Sequence, residues 1–445
     1  MAETNSAAKD TGTSRRDFMR ASSAIVAGGA VAGSLNIARA AHPYGSDTIR
    51  MGLIGCGGRG RGAASQAMNT QGGQVRLLAL GDMFENQIHG TLRGLTAEHG
   101  EKIDVAKERQ FTGFDAYKGV LECDLDMVIL ATPPGFRPLH FEAAIKAGKS
   151  VFMEKPVAVD PAGVLRVLRA NEEAKKKELF VAVGLQRRHE PAYVETIQRI
   201  QDGIIGDIVL ARAYWNGAKP WVKHREAQQT EMEYQLRNWY YFNWLCGDHI
   251  VEQHIHNLDV INWIMNGYPV EAQGQGGCEV RKGKEYGEIF DHHFVEFTYG
   301  SGAVMLSQCR HIEGCWNAVS EHVHGTNGYA DVSGAKIYTP KGKLIYSYGK
   351  GGRDGHQQEH HDLFADIRAG KRPNEGEWGA LSSMTAILGR MATYSGQKIG
   401  WQEALNSQVV ISPVDKFKNL NDTPPVVPDK DGFYALPVPG QSKVV

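Results

Sequence analysis

The sequence predicts an α/β chain. Its N-terminal part is built on a doubly wound parallel sheet, and its C-terminal part is an α+β unit on an open, mostly antiparallel sheet. Three observations predict this. Between Thr48 and Leu185, short and near-continuous apolar runs alternate with helix-compatible segments, as strands buried on both faces of a parallel sheet require. The first of these runs passes directly into Gly55-x-Gly57-x-x-Gly60. Beyond Gln186, several segments alternate apolar and polar residues in period two, the pattern of strands with one face solvated or lining a cleft.

Strands read at 49–54, 75–80, 126–131, 149–153 and 179–185, with helices over 139–147 and 161–177. The second helix turns Val164, Leu165, Val167 and Leu168 to a core and Glu172, Glu173 and Lys175 to solvent. A helix over 192–201 then leads to strands at 208–215, 270–275, 293–298, 303–309 and 343–348, interrupted by helices at 248–265, 357–369 and 377–395. Residues 413–440 hold six of the 17 prolines and read as an extended arm. The mature chain therefore divides into a dinucleotide-binding domain (48–185), a substrate and oligomerisation domain (186–412) and a Pro-rich arm (413–445).

The chain has 445 residues, a net charge of −1, and 42% hydrophobic and 22% charged residues. That composition suits a globular protein of about two domains and lacks the basic surface of a nucleic-acid binder. No apolar run reaches the length of about 18 residues needed for a membrane span. The first 41 residues resemble a twin-arginine export signal: Ser14-Arg15-Arg16-Asp17-Phe18-Met19-Arg20, an Ala/Gly-rich apolar stretch from Ala21 to Ile37, and an A-x-A cleavage pattern at 38–40. This route carries proteins already folded, so it suits one that loads a nucleotide before export. Partnership with the twin-arginine machinery and a periplasmic address follow as expectations. Six scattered cysteines without a CxxC pair imply no disulfide framework.

The glycine motif carries the first chemistry. Gly55 permits the tight turn after the strand, Gly57 lets backbone N–H groups approach a pyrophosphate, and Gly60 lets the following helix pack closely. Gly58 and Arg59 lie within the same loop. The helix N-terminus turns its positive dipole end to the phosphates. Asp82 ends the second strand, where a carboxylate accepts hydrogen bonds from the adenosine ribose. With Glu85 nearby and no Arg immediately following, NAD is expected in preference to NADP, which is not excluded.

Two further places offer reactive groups. The fourth apolar strand ends in Met153-Glu154-Lys155-Pro156, and ligands in open α/β sheets bind outside the carboxyl ends of the strands. Lys155 is thus delivered to the nicotinamide end of a cofactor, where an ammonium can stabilise a developing alkoxide. In the helix read over 248–265, Glu252, His256 and Asp259 fall on one face, which suggests a histidine general base with a carboxylate that orients it. His254 points elsewhere and reads as structural. Arg187, Arg188 and one member of each histidine pair, such as His292 of His292/His293, are candidates for the substrate cleft. Trp215, Trp221 and Trp239 are candidate sugar-stacking faces. No HxxxH or HExxH spacing appears with a third ligand, so no metal site is expected.

These residues together resemble the Gfo/Idh/MocA family, the relatives of glucose–fructose oxidoreductase and inositol dehydrogenase. The resemblance rests on GLIGCGGRG, Asp82, ATPP at 131–134 with His140, MEKP at 153–156, GLQRR at 184–188, GTNG at 325–328 and LDVINWIMNG at 258–267. It implies a cofactor site that includes Thr132, Pro133, His140, Glu154 and Lys155, a catalytic His256, and assembly into homo-oligomers. Two departures stand out. Glu252 occupies the position where the family usually has Asp, and Gly247-Asp248 replaces the usual Gly-Gly before the helix.

The expected activity is that of an exported oxidoreductase with a tightly held NAD(P) cofactor, transferring hydride between it and a hydroxyl-bearing carbon of a sugar, glycoside or polyol. A second possibility is an NAD-dependent glycoside hydrolase or lyase that oxidises a ring carbon transiently, eliminates across the glycosidic bond and regenerates its cofactor. A third is a catalytically silent sugar-binding protein, against which the retention of Lys155, Glu252 and His256 argues.

Overall fold

The computed structural model describes residues 48–218, 220–352 and 354–445; the export signal read over 1–41 lies outside them. The first sheet contains β1 (Thr48–Ile54), β2 (Gln74–Asp82), β3 (Gln110–Thr112), β4 (Met127–Leu130), β5 (Ser150–Met153) and β6 (Val181–Val183). All of its pairings are parallel, in the order β3-β2-β1-β4-β5-β6. Met51, Leu53, Met127, Ile129 and Val151 are fully buried, because helices cover both faces. The strand read over 179–185 shrinks to three residues. Gly184 turns away where a Cβ would meet the Glu154 carboxylate at 2.8 Å. The short edge strand β3 escaped the sequence reading, since Gln110 and Thr112 give it no apolar run.

Helices α1 (Gly58–Met68), α2 (Glu85–His99), α3 (Ala116–Glu122), α4 (Arg137–Lys146) and α5 (Pro161–Lys176) connect these strands. Strand order reverses between β1 and β4, and this switch point opens the crevice in which ligands of doubly wound sheets bind. The residues just past β1, β4 and β5 therefore converge on one place.

After α6 (Pro191–Gln201) the chain builds a nine-stranded sheet. Its strands are β7 (Ile208–Gly217), β8 (Pro269–Gly277), β9 (His292–Tyr299), β10 (Val304–His311), β11 (Ala318–Gly325), β12 (Gly328–Asp331), β13 (Lys336–Tyr338), β14 (Leu344–Ser347) and β15 (Ile399–Gly400). The order is β14-β13-β12-β11-β7-β10-β9-β8-β15, and only β7 and β10 pair in parallel. Strand β9 alternates buried His293, Val295 and Phe297 with more exposed His292, Phe294 and Glu296. Helices α7 (Glu231–Arg237), α8 (Asn243–Cys246), α9 (His249–Glu252), α10 (Ile255–Met265), α11 (Gly355–Arg368), α12 (Gly376–Ser395) and α13 (Trp401–Leu405) complete the unit.

The C-terminal segment has one 3-10 turn, Val414–Lys416, and otherwise runs without regular structure. It ties the two domains together. Asp415 pairs with Arg166 of α5 at 2.8 Å, Phe417 packs on Phe114 and Trp244, and the Tyr434 hydroxyl donates to Glu231 of α7 at 2.6 Å. All six cysteines are free thiols. Among the described residues, no helix is long and apolar enough to cross a membrane.

Candidate active site

A cleft of about 790 Å³ opens at the switch point, lined by Gly55, Gly57, Gly58, Arg59, Asp82, Thr132, Pro133 and His140. The glycines fit a bound dinucleotide. Gly55 has φ +99°, and a Cβ there would lie 2.4 Å from the Ala131–Thr132 backbone. A Cβ on Gly60 would lie 1.9 Å from the Gly55 oxygen, so the close approach of α1 requires hydrogen there. Gly57 and Gly58 face open space at the N-terminus of α1. That space is a cradle of backbone N–H groups for a pyrophosphate.

Asp82 is held at the far end of the cleft. Its carboxylate accepts the Cys56 N–H at 2.6 Å and the Phe84 N–H at 2.9 Å. Burial raises its pKa despite these donors. Each oxygen keeps acceptor capacity for a ribose hydroxyl. The opposite wall comes from the second domain and includes Trp221, Lys223, His224, Arg237 and Trp239. Trp239 therefore faces the nucleotide cleft, stacked edge-on against Trp221 at 5.7 Å, rather than a separate sugar site.

Arg137 organises the strand ends and was not singled out from the sequence. Its buried guanidinium donates to the Thr132 carbonyl at 2.6 Å and the Glu154 carbonyl at 3.1 Å, joining the loops after β4 and β5. The only available signal was a charged residue in an otherwise apolar ATPPGF-R-P run. His140 Nδ1 lies 3.1 Å from Thr132 Oγ1, and burial drives its pKa down to about 3, so the ring is neutral. Arg59 bridges Glu154 and Glu359 of α11. Burial beside Glu154 pushes the Glu359 carboxyl well above its usual range.

The helix expected over 248–265 is broken, which overturns the proposed face of Glu252, His256 and Asp259. α9 ends at Glu252 and α10 starts at Ile255. Across the break the backbone register slips: His254 N bonds His249 O, and His256 N bonds Gln253 O at 3.3 Å. The Glu252 carbonyl, which a continuous helix would have used, is free to accept Lys155 Nζ at 2.5 Å. Lys155 Nζ also donates to Glu252 Oε1 at 3.0 Å. Glu252 thus clamps Lys155 instead of orienting His256. Burial raises the Glu252 pKa, opposed by the lysine charge.

His256 stacks on Trp215 with ring centroids 5.9 Å apart. Its Nδ1 is buried without a hydrogen-bond partner among the described residues. Burial lowers its pKa well below the usual value, and the charges of Lys155 and Arg187 act in the same direction. The imidazole is therefore neutral, within electrostatic reach of the clamped lysine.

Three proposed substrate contacts are placed elsewhere. Arg188 and Asp259 form a buried ion pair at 2.8 Å; Asp259 also accepts from Ser382, and Arg188 lies over Trp378. They satisfy each other because neither charge could be buried alone. His292 lies on the outward side of β9, paired with Asp291 at 2.7 Å, while its neighbour His293 points into the core. Arg187 pairs with buried Glu321. His254 donates to or accepts from Ser307 Oγ at 2.8 Å, in the structural role expected. Although the sequence suggested no metal site, Asp248, His249 and His293 converge, each offering one ligand atom within 4.8 Å of the others. Adjacent Asp248 and His249 meet a histidine from a distant strand, so no spacing motif announced the cluster.

Comparison with known proteins bears on this arrangement. Residues 49–184 match the family model described as "Oxidoreductase family, NAD-binding Rossmann fold", and residues 193–331 match "GFO/IDH/MocA C-terminal domain". Inositol 2-dehydrogenase 1 of Saccharopolyspora erythraea is 30% identical over 174 residues, covering 39% of this chain and 47% of that protein. A 2,7-anhydro-N-acetylneuraminate hydratase of Mediterraneibacter gnavus is 31% identical over 180 residues, 40% of this chain and 43% of that protein. Matches of this kind span about half the length of the curated relatives. The structure of scyllo-inositol dehydrogenase from Lactobacillus casei with bound NAD(H) and scyllo-inositol shares the fold. Its TM-score is 0.61 at 18% identity, over 80% of this chain and 99% of that one.

Proposed function

The chain belongs to the Gfo/Idh/MocA oxidoreductase family, and from that premise we propose that it is an exported oxidoreductase acting with NAD on a hydroxyl of a sugar, glycoside or polyol. One observation carries the reading: Lys155, clamped by Glu252 just past the end of β5, acts electrostatically on a neutral buried His256. NAD held by the Gly55–Gly60 loop and Asp82 would supply the acceptor for hydride from the carbon bearing that hydroxyl. The protein's part is the proton and the charge. His256 is uncharged, so a ring nitrogen lone pair is free to take the hydroxyl proton; Nε2 has this role, because Nδ1 is enclosed. Of the three N–H donors of Lys155, two go to Glu252 and the third remains for the oxygen that loses its proton. Trp215 fixes the imidazole plane by stacking.

The wall formed by residues 221–239 across the nucleotide cleft supports a tightly held cofactor. The inositol dehydrogenases among the relatives support a polyhydroxylated substrate. The Arg15-Arg16 segment supports export by the twin-arginine route to the periplasm. The open face of the nine-stranded sheet, carrying Leu210, Phe294 and Leu306, supports a homo-oligomer. The hydratase relative favours a second reading: transient oxidation that acidifies the neighbouring C–H and leads to elimination, with no net change of cofactor.

The test is to identify the co-purifying nucleotide by absorbance and mass, then to score a sugar and polyol panel for both reduced cofactor and bond cleavage. Net reduction supports the dehydrogenase, and cleavage without net reduction supports the second reading. Neither result with any substrate would leave a silent binding protein.

A further inference from the structure

Asp248 adopts φ 72° and ψ 161°, a backbone region that L-residues rarely occupy, yet its side chain is completely buried. The cost of this conformation calls for something the carboxylate does. Its Oδ2 accepts the Tyr394 hydroxyl at 2.5 Å and the Phe290 N–H at 2.9 Å, and its Oδ1 accepts the His249 N–H. Two imidazoles flank it: His249 Nδ1 lies 2.7 Å from Oδ1, and His293 Nε2 lies 3.3 Å from Oδ2.

Proton accounting leaves these contacts unresolved. Thr393 Oγ1 directs its own hydrogen at the carbonyls of its helix, Gly389 and Arg390, so it accepts from His293 Nδ1 at 2.9 Å. The Nδ1 of His293 therefore carries the proton. In the neutral ring Nε2 then presents a lone pair to a carboxylate lone pair. His249 is also completely buried; its Nε2 makes no hydrogen bond among the described residues, and its Nδ1, like His293 Nε2, has only the Asp248 carboxylate close by, in a geometry that forms no hydrogen bond. Buried polar atoms without partners are rare and call for a counterpart.

We propose that Asp248, His249 and His293 bind a divalent cation of the zinc class. One oxygen and two imidazole nitrogens form a donor set suited to Zn²⁺, which binds such atoms at about 2.0–2.2 Å. The cation turns opposed lone pairs into coordinate bonds. The Thr393 hydrogen bond fixes the His293 tautomer, as partners of metal-bound histidines commonly do. All three ligands are enclosed, and the metal ties the start of α9 to β9 four residues before Glu252. It thereby positions the Lys155 clamp without touching substrate.

The test is metal analysis of the full-length protein, purified from zinc-supplemented medium without an affinity tag or chelator. Asp248→Gly is the informative variant, because glycine accepts the backbone conformation while the carboxylate is lost, and circular dichroism checks that it folds. His293→Gln is the second. The expected result is about one zinc per wild-type chain and less than about one-tenth in both variants, with ligand-field absorption on Co²⁺ substitution in the wild type only. A folded wild-type protein with less than about one-tenth of an equivalent would overturn the site. Equal metal in wild type and variants would also overturn it, by placing the metal elsewhere. Neither outcome depends on the oxidoreductase reading, which the sugar panel tests separately.

Discussion

Lys155 and Glu252 stand 97 residues apart in the chain and meet at two points, with Nζ 2.5 Å from the glutamate carbonyl oxygen and 3.0 Å from its Oε1. The first contact exists because the helix breaks after Glu252 and frees a carbonyl. The second exists because the side chain is Glu. Together they use two donors of one ammonium and aim the third.

Replacing Glu252 by Gln keeps the backbone acceptor and removes the charge. A charge-assisted hydrogen bond contributes about 1.5–3 kcal/mol, so turnover should fall about 10- to 100-fold while nucleotide affinity holds. The pH profile gives a sharper readout. Burial raises the Glu252 pKa, so the carboxylate is ionised above that value and the clamp is lost as pH falls through it. The acid limb of kcat should therefore disappear in Glu252→Gln. An unchanged limb would assign it to another group.

Cofactor choice rests on Asp82, whose carboxylate repels a 2′-phosphate and accepts a 2′-hydroxyl. NAD should bind the apo-protein more tightly than NADP. Arg237 already stands in the cleft wall and acts electrostatically on Asp82. Asp82→Asn should therefore improve NADP binding relative to NAD, measured by fluorescence titration of both. Tighter NADP binding by the wild type would contradict this account of the ribose pocket.

Acid should destabilise the fold through buried neutral histidines. Burial lowers His140 and His254 to about 3. Between their folded values and the unfolded value of about 6.5, only the unfolded state binds those protons, so stability falls as pH falls below about 6.5. Each contributes up to about 1.4 kcal/mol per pH unit in that window. Urea melts between about pH 7 and about pH 5 should show a shallower loss in His140→Gln than in the wild type.

Replacing Arg15 and Arg16 by Lys should strand the protein in the cytoplasm, because Lys lacks the planar guanidinium fork. Fractionation with an intact periplasmic marker reads the outcome. Unchanged export of the double variant would remove the twin-arginine reading.

The parallel sheet was legible because continuous apolar strands, the glycine loop and Asp82 follow one another in chain order. The glycine roles were equally local: Gly55 and Gly60 are constrained by atoms a few residues away or on the adjacent strand. What stayed hidden depends on distant partners. The spacing of Glu252, His256 and Asp259 defines a face only if the helix is continuous, and the slip at Gln253–His254 rotates that face apart. Arg188 and Asp259 looked like cleft residues because their pairing spans 71 positions. His292 was assigned to the cleft by alternation, but alternation fixes only that His292 and His293 face opposite ways; the core took His293. Arg137 and Glu359 gave no pattern because each is defined by partners on other elements: backbone carbonyls for Arg137, and the charges of Glu154 and Arg59 for Glu359.

The central claim is that His256 and Lys155 act on one hydroxyl, and single-turnover reduction of the bound cofactor tests it most directly. His256→Asn should lose about 10²–10⁴ in rate with nucleotide binding intact, and Lys155→Met a comparable amount. Because the two groups act as a unit, the double variant should be little slower than either single one. A near wild-type rate in His256→Asn, or losses that multiply in the double variant, would contradict the account.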